Sequence, residues 1–225
     1  MRGGESMLIK KITLRNFRQY MNTEIIFSTD PEKNITLIKG DNGTGKTTLA
    51  QAFQWVLYGH TNFQIQELIN RKAKENANPN DEVILCVILE LEYAKEDYIL
   101  KRSITYKKTK SDFIEKNDGY YFTIAKKDIN GNNEYISESQ KNYIVKQILP
   151  EDLSKFFFFD GERIETLAKE LSGGKSKEFK EAVYGLVGLR ATQNAIRHLG
   201  DSRGGRKNVI KIFQNEIDKN NKSNH

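Results

Sequence analysis

Apolar and polar positions alternate over residues 8–17 and again over 23–27, the period of half-buried β-strands. The apolar run Ile35-Thr36-Leu37-Ile38 predicts a third strand, buried, over 34–39. Next, Leu49, Ala50, Ala52, Phe53, Val56 and Leu57 recur at helical spacing and predict a helix over 45–58. After a polar stretch with a short helix near 66–73, long strands at 82–93 and 97–106 flank the turn Ala94-Lys95-Glu96 and should form a hairpin. A further strand at 120–126 meets the turn-rich segment Asp128-Ile129-Asn130-Gly131-Asn132-Asn133. From Ser137 the period becomes helical. Tyr143, Ile144, Ile148 and Leu149 suit a helix ending at Pro150, and helices are expected at 162–171 and 177–189. The pattern predicts an α/β chain, β-rich first and helical last, with one main lobe over 7–189. Over 190–225, Ile196, Leu199, Ile210, Phe213 and Ile217 suit either the start of a coiled coil or an amphipathic tail, with Gly204-Gly205 interrupting them. Residues 1–6 precede the patterned sequence and read as an upstream start or an appended remnant.

Between the third predicted strand and the first helix stands Gly40-Asp41-Asn42-Gly43-Thr44-Gly45-Lys46-Thr47. This is the spacing of a P-loop. Its glycines let the backbone turn tightly, so that free N–H groups and the positive end of the helix dipole face phosphate. Asp41, Asn42, Gly43, Thr44, Gly45 and Thr48 are therefore expected to line a nucleotide. Lys46 should reach the β- and γ-phosphates and act in catalysis, and the Thr47 hydroxyl should ligate Mg²⁺. The expected ligands are ATP and Mg²⁺.

The chain has 225 residues, 37% hydrophobic and 29% charged, enough for one large or two small domains with a sizeable core. Cys86 is the only cysteine and sits inside Val83-Ile84-Leu85-Cys86-Val87-Ile88-Leu89, the setting of a small buried hydrophobe. His60, His198 and His225 lack metal-ligand spacing. No apolar stretch approaches the ~20 residues of a membrane span, so a cytoplasmic, nucleoid-associated protein without membrane contact is expected. The net charge of +6 is mild. Its distribution matters more: Lys101, Arg102, Lys107, Lys108 and Lys110 fall in a stretch between Asp97 and Asp112 that contains no acid. On a projecting hairpin they would either neutralise DNA phosphates or form a solvated face.

The order strand, Asn16-Phe17-Arg18, strand, strand, P-loop resembles the N-terminal head lobe of SMC/Rad50-type ABC ATPases, including bacterial SbcC-like proteins. Within that superfamily, Phe156-Phe157-Phe158-Phe159-Asp160-Gly161-Glu162-Arg163-Ile164 is similar to the phenylalanine-rich segment of the DndD family, ATPases of DNA sulfur modification (phosphorothioation) systems. The resemblance spans about 8–199 and is weakest between 64 and 137. It implies a P-loop NTPase head lobe of ABC/SMC type carrying a β-hairpin subdomain, with helices and a coiled coil after it. It also implies that Arg18 lies over the nucleotide, and that Asp160 takes the Q-loop glutamine position as a catalytic and metal-holding residue. On the residues alone, the phenylalanines could equally form a buried strand or helix start capped by Asp-Gly. The implied partners are double-stranded DNA, the C-terminal lobe of the same head, a second head in an ATP-dependent dimer, and nuclease or DNA-modification subunits. The implied settings are sulfur modification, DNA repair with end processing, or phage defence.

Leu171-Ser172-Gly173-Gly174-Lys175 spells an ABC signature, but no apolar run ending in Asp-Glu follows it. A linker or helix cap is the preferred reading. No Walker B acid pair or switch histidine is found, so ATP hydrolysis is expected only when a C-terminal lobe completes the head. A nucleotide- or DNA-binding module without turnover is the alternative.

Overall fold

The first strand, β1 (Met7–Phe17), buries Ile12, Leu14 and Phe17 completely and turns Arg15 outward. It returns as β2 (Tyr20–Ile26) through a tight turn in which Asn16 and Arg18 take positive φ values of 51° and 50°. The second hairpin joins β3 (Glu82–Tyr93) to β4 (Glu96–Lys108) through Ala94 and Lys95, both left-handed, as a two-residue turn matching the strand twist requires. β5 (Phe113–Lys127) and the short β6 (Asn133–Tyr135) complete a six-stranded sheet of order β2-β1-β3-β4-β5-β6. Every neighbouring pair is antiparallel. This computed structural model describes residues 7–64, 67–110 and 112–158. Asp160, the Leu171–Lys175 stretch, the helices expected at 162–171 and 177–189, and the 190–225 segment lie outside the described residues.

The inner sheet face carries Leu85, Val87, Leu89 and Leu91 of β3 with Leu100 and Ile104 of β4, all nearly inaccessible. Against it lies α1 (Lys46–Tyr58), which buries Leu49, Ala52, Phe53, Trp55 and Val56. Trp55 meets Phe17 with ring centroids 5.5 Å apart. Each large aliphatic side chain buried here contributes roughly 1.5–3 kcal/mol, so this interface dominates the stability of the lobe. The helices α3 (Glu138–Ile148) and α4 (Glu151–Phe157) are tied to the end of α1: the Tyr58 hydroxyl donates to the Leu149 carbonyl at 2.9 Å.

Three expectations are corrected. The strand expected over 34–39 does not form: no segment among the described residues pairs with it, and Ile35 and Leu37 are 84% and 75% exposed. A strand needs a neighbour for its N–H and C=O groups, and an apolar composition does not supply one. Of the helix expected near 66–73, residue 66 lies outside the described residues; Glu67 is in a 3-10 turn, and the α-helix described is α2 (Arg71–Asn76), because Ile69 bridges to Phe17 and Asn70 caps the helix by accepting from the Ala73 N–H at 3.0 Å. In α3 the buried face is Lys141, Val145 and Ile148, while Tyr143 points to solvent. The helix α4, whose end carries Phe157, was not foreseen beyond the possible helix start in the phenylalanine run.

Candidate functional site

The glycine loop reaches α1 through two left-handed glycines, Gly43 (φ 82°) and Gly45 (φ 114°), the latter capping the helix. A side chain at Gly45 would be strained by that φ, and its Cβ would lie 3.0 Å from the Tyr20 hydroxyl. That hydroxyl donates to the Gly45 carbonyl at 3.1 Å. The first backbone bond of the helix runs from the Leu49 N–H to the Gly45 carbonyl, so the N–H groups of Lys46, Thr47 and Thr48 precede the helical ladder. These groups and the helix dipole define an anion cradle. Lys46 folds over it, donating to the carbonyls of Gly40 and of Asp41, the latter at 2.8 Å. The Thr44 hydroxyl donates to the same Asp41 carbonyl at 2.8 Å, which fixes the curl of the loop.

Asn42, Gly43, Gly45, Lys46, Thr47 and Thr48 line a concavity of about 260 Å³ whose opposite wall is Arg18, Gln19 and Phe63. Arg18 thus lines the same concavity as the P-loop residues. Its guanidinium lies 3.7 Å from the centre of the Phe63 ring and 3.7 Å from the Glu67 carboxylate. Its Nε is buried and has no hydrogen-bond partner among the described residues. An unpaired buried donor beside free N–H groups fits an anionic or acceptor-rich ligand. The Thr48 hydroxyl is buried and donates to Gln19 Oε1 at 2.8 Å, so the expected nucleotide contact would fall to its backbone N–H. Thr47 is exposed at the first turn. Mg²⁺ bound with a nucleotide keeps several waters and takes few protein ligands beside the phosphates, so the Thr47 hydroxyl would fit as one of them. Among the described residues no group of His, Cys, Asp and Glu forms a separate metal cage.

Gln19, Tyr20 and Phe63 were missed by sequence reasoning. Adjacency to Asn16-Phe17-Arg18 was the one available signal for the first two, and Phe63 had none. Phe158 stacks on Phe53 of α1 with centroids 5.0 Å apart and planes 6° from parallel. The chain entering the Asp160 segment is therefore anchored on the P-loop helix.

The basic residues of β4 do not form one patch. Alternation places Lys101 and Lys107 on the outer face, both exposed, and turns Arg102 inward. Arg102 is 5% exposed and cannot reach a surface partner, which removes it from the expected DNA contacts. Lys108 lies over the Phe113 ring at 4.6 Å, and Lys110 is exposed near the end of the hairpin. Beside Lys101 on the outer face, Arg15, Ile84, Cys86 and Ile88 border a groove of about 620 Å³ next to α2. Cys86 is buried there, which pushes its thiol pKa up. No described helix is long and apolar enough to cross a membrane.

A glycine cradle at a helix N-terminus, with a lysine folded over it and an arginine opposite, defines a P-loop nucleotide-binding lobe of α/β ATPase type. Residues 11–225 match the family model of the AAA domain, and the chain belongs to that family. It is similar to the DNA double-strand break repair Rad50 ATPases: 33% identical over 67% of this chain and 13% of the Methanococcus maripaludis protein. For the Thermoplasma acidophilum Rad50 ATPase the identity is 28% over 95% of this chain and 22% of that protein, so the chain spans less than a quarter of either relative. The DNA replication and repair protein RecF of Tropheryma whipplei is 43% identical over 29% of this chain and 17% of that protein. A solved structure of the recombination mediator protein RecF with ATP aligns at 19% identity and a TM-score of 0.37, covering 96% of this chain and 51% of that one.

Proposed function

We propose that this chain is the ATP-binding N-terminal half of a DNA-associated, Rad50-like ATPase head acting in DNA repair. The observation that carries the reading is the cradle of Lys46, Thr47 and Gly45 with Arg18 and its unpaired Nε opposite. ATP-Mg²⁺ binds with its phosphates on the N–H groups of α1, Lys46 on the β- and γ-phosphates, Thr47 on the metal, and Arg18 closing the other side. Asp160 follows the Phe158 anchor and holds the metal or senses the γ-phosphate.

One feature supports a half-site completed by another segment. The exposed Ile35, Leu37 and Ile38 lead into the P-loop with their strand edges free among the described residues. A C-terminal lobe supplies the missing neighbour and the water-polarising carboxylate, and a second head closes the site when ATP is bound. Lys101, Lys107, Lys108 and Lys110 bind duplex DNA through its phosphates, without sequence preference. The finer assignment to DNA sulfur modification rests on Phe156–Ile164 alone; neighbouring sulfur-transfer genes would favour it, and a neighbouring nuclease gene would favour end processing.

The test is calorimetric titration of ATP-Mg²⁺ together with steady-state phosphate release. Lys46→Ala removes a charge-assisted phosphate contact worth about 1.5–3 kcal/mol and should weaken binding roughly ten- to a hundredfold. The 225-residue chain alone should release negligible phosphate until the rest of the head is added. Wild-type affinity in Lys46→Ala would overturn the site, and robust Lys46-dependent turnover by the chain alone would overturn the half-head.

A further inference from the structure

Arg102 is the most deeply buried arginine described, and its partners explain why it is there. Its Nε donates to the Val56 carbonyl and its Nη2 to the Leu57 carbonyl, each at 3.2 Å. Both carbonyls belong to the last turn of α1, where no further helical N–H follows to satisfy them. The remaining arm, Nη1, bonds the Tyr120 hydroxyl, and the guanidinium lies over the Phe122 ring at 3.9 Å. Burial pushes its pKa down to about 10, which leaves it charged at neutral pH. A permanent cation at this point complements the negative end of the helix dipole. Space for it is kept by Gly59, left-handed at φ 82°: a Cβ there would lie 2.9 Å from Nη1 and 3.0 Å from the Tyr120 hydroxyl.

Resting on the nucleotide-binding reading above, we propose that Arg102 is a positioning residue for nucleotide binding, clamping the C-terminal end of α1 to β4 and thereby fixing where its N-terminal N–H groups meet phosphate. A helix of 13 residues is roughly 20 Å long and nearly rigid along its axis. Its apolar side resists lifting from the sheet but resists sliding and rotation weakly, because dispersion contacts are non-directional. Directional bonds at the far end supply that restraint. Loss of the clamp lets the cradle shift by fractions of an ångström, and charge-assisted bonds to phosphate weaken steeply with such misplacement. Arg102 itself touches no nucleotide.

The test compares Arg102→Met, Arg102→Lys and Tyr120→Phe in the full-length protein, well below each variant's unfolding temperature, with ATP-Mg²⁺ as the titrant. Replacing a buried charge with an apolar side chain of similar volume is often neutral for stability, so affinity and folding can separate in Arg102→Met. Its ATP dissociation constant should rise about tenfold, and hydrogen exchange at the amides of Lys46, Thr47 and Thr48 should quicken in the ATP complex. Tyr120→Phe should lose about two- to threefold, and Arg102→Lys, which restores the charge but not the fork, should fall between it and Arg102→Met. Wild-type affinity and exchange in a folded Arg102→Met would overturn the proposal and leave Arg102 purely structural. If Arg102→Met does not fold, unchanged affinity in both other variants overturns it. Lys46→Ala runs in parallel. Should it bind ATP like wild type, the nucleotide reading itself fails; should it lose binding while the clamp variants do not, only the positioning role fails.

Discussion

The two ends of the P-loop helix are built in opposite ways. At the C-terminal end of α1 the described polar groups are engaged within the lobe: Val56 and Leu57 bond Arg102, the Gly59 N–H returns to the Trp55 carbonyl, and Tyr58 bonds Leu149. At the N-terminal end the chain arrives through an apolar segment that joins no sheet among the described residues, with Leu37 75% exposed, and delivers N–H groups that precede the helical ladder. The first arrangement is complete on local contacts. Under the proposed function, the second receives phosphate at the loop and a neighbouring strand behind it. A rigid, satisfied end therefore holds an open, reactive one in place.

The sharpest way to break this contrast is to truncate one leucine on each side of it. Leu100→Ala, at a fully buried position, should cost about 2–5 kcal/mol in urea denaturation. Leu37→Ser should change stability by no more than about 0.5 kcal/mol, yet impair assembly with the rest of the head. Comparable losses in both would mean that residues 34–39 are packed within this lobe in solution. Gly59→Ala sharpens the closed side, since a left-handed alanine costs about 1–2 kcal/mol before any displacement of Arg102 is counted. A null effect on the unfolding midpoint would show that the clamp has slack.

Along the basic edge of the hairpin, the double variant Lys107→Glu with Lys110→Glu should reduce the slope of log affinity against log salt for random duplex DNA by about two, with ATP affinity unchanged. An unaltered slope would make these lysines solvated charges. The smallest effect concerns Glu96, whose pKa lies below its ordinary 4.5, first because Lys126 bonds it and also because of the Tyr98 hydroxyl. A lowered folded pKa means that its stabilisation is present above about pH 4.5 and fades as pH falls through the folded value. Glu96→Gln should flatten the acid limb of stability by less than about 1 kcal/mol, because the pair is exposed. An unchanged limb would remove Glu96 from the acid response.

What could be read from the sequence follows the same division. The β3 strand was bounded correctly because alternation and turn residues are local signals, and the P-loop was legible because its glycines answer to backbone geometry alone. Residues 34–39 misled because hydrophobicity announces that a segment will be buried without naming the partner. Arg102 was grouped with Lys101 on charge, although one step along a strand reverses the face and Arg102 is in phase with Leu100 and Ile104. That phase was visible in the residues. The approach of Phe63 to Arg18 was not, since it depends on where a connecting segment settles after the sheet and α1 have packed.

The turn between β1 and β2 carries an unusual density of such contacts. Arg18 stacks on Phe63, Gln19 accepts from Thr48, and Tyr20 donates to Gly45, so consecutive residues grip consecutive parts of the nucleotide wall. Hairpin turns are ordinarily where a protein accepts extra residues at little cost. Here one added residue between Phe17 and Tyr20 would pull all of those side chains out of reach at once. The length of this turn is therefore as constrained as the spacing of the P-loop glycines, and a variant library that lengthens surface loops should leave it alone.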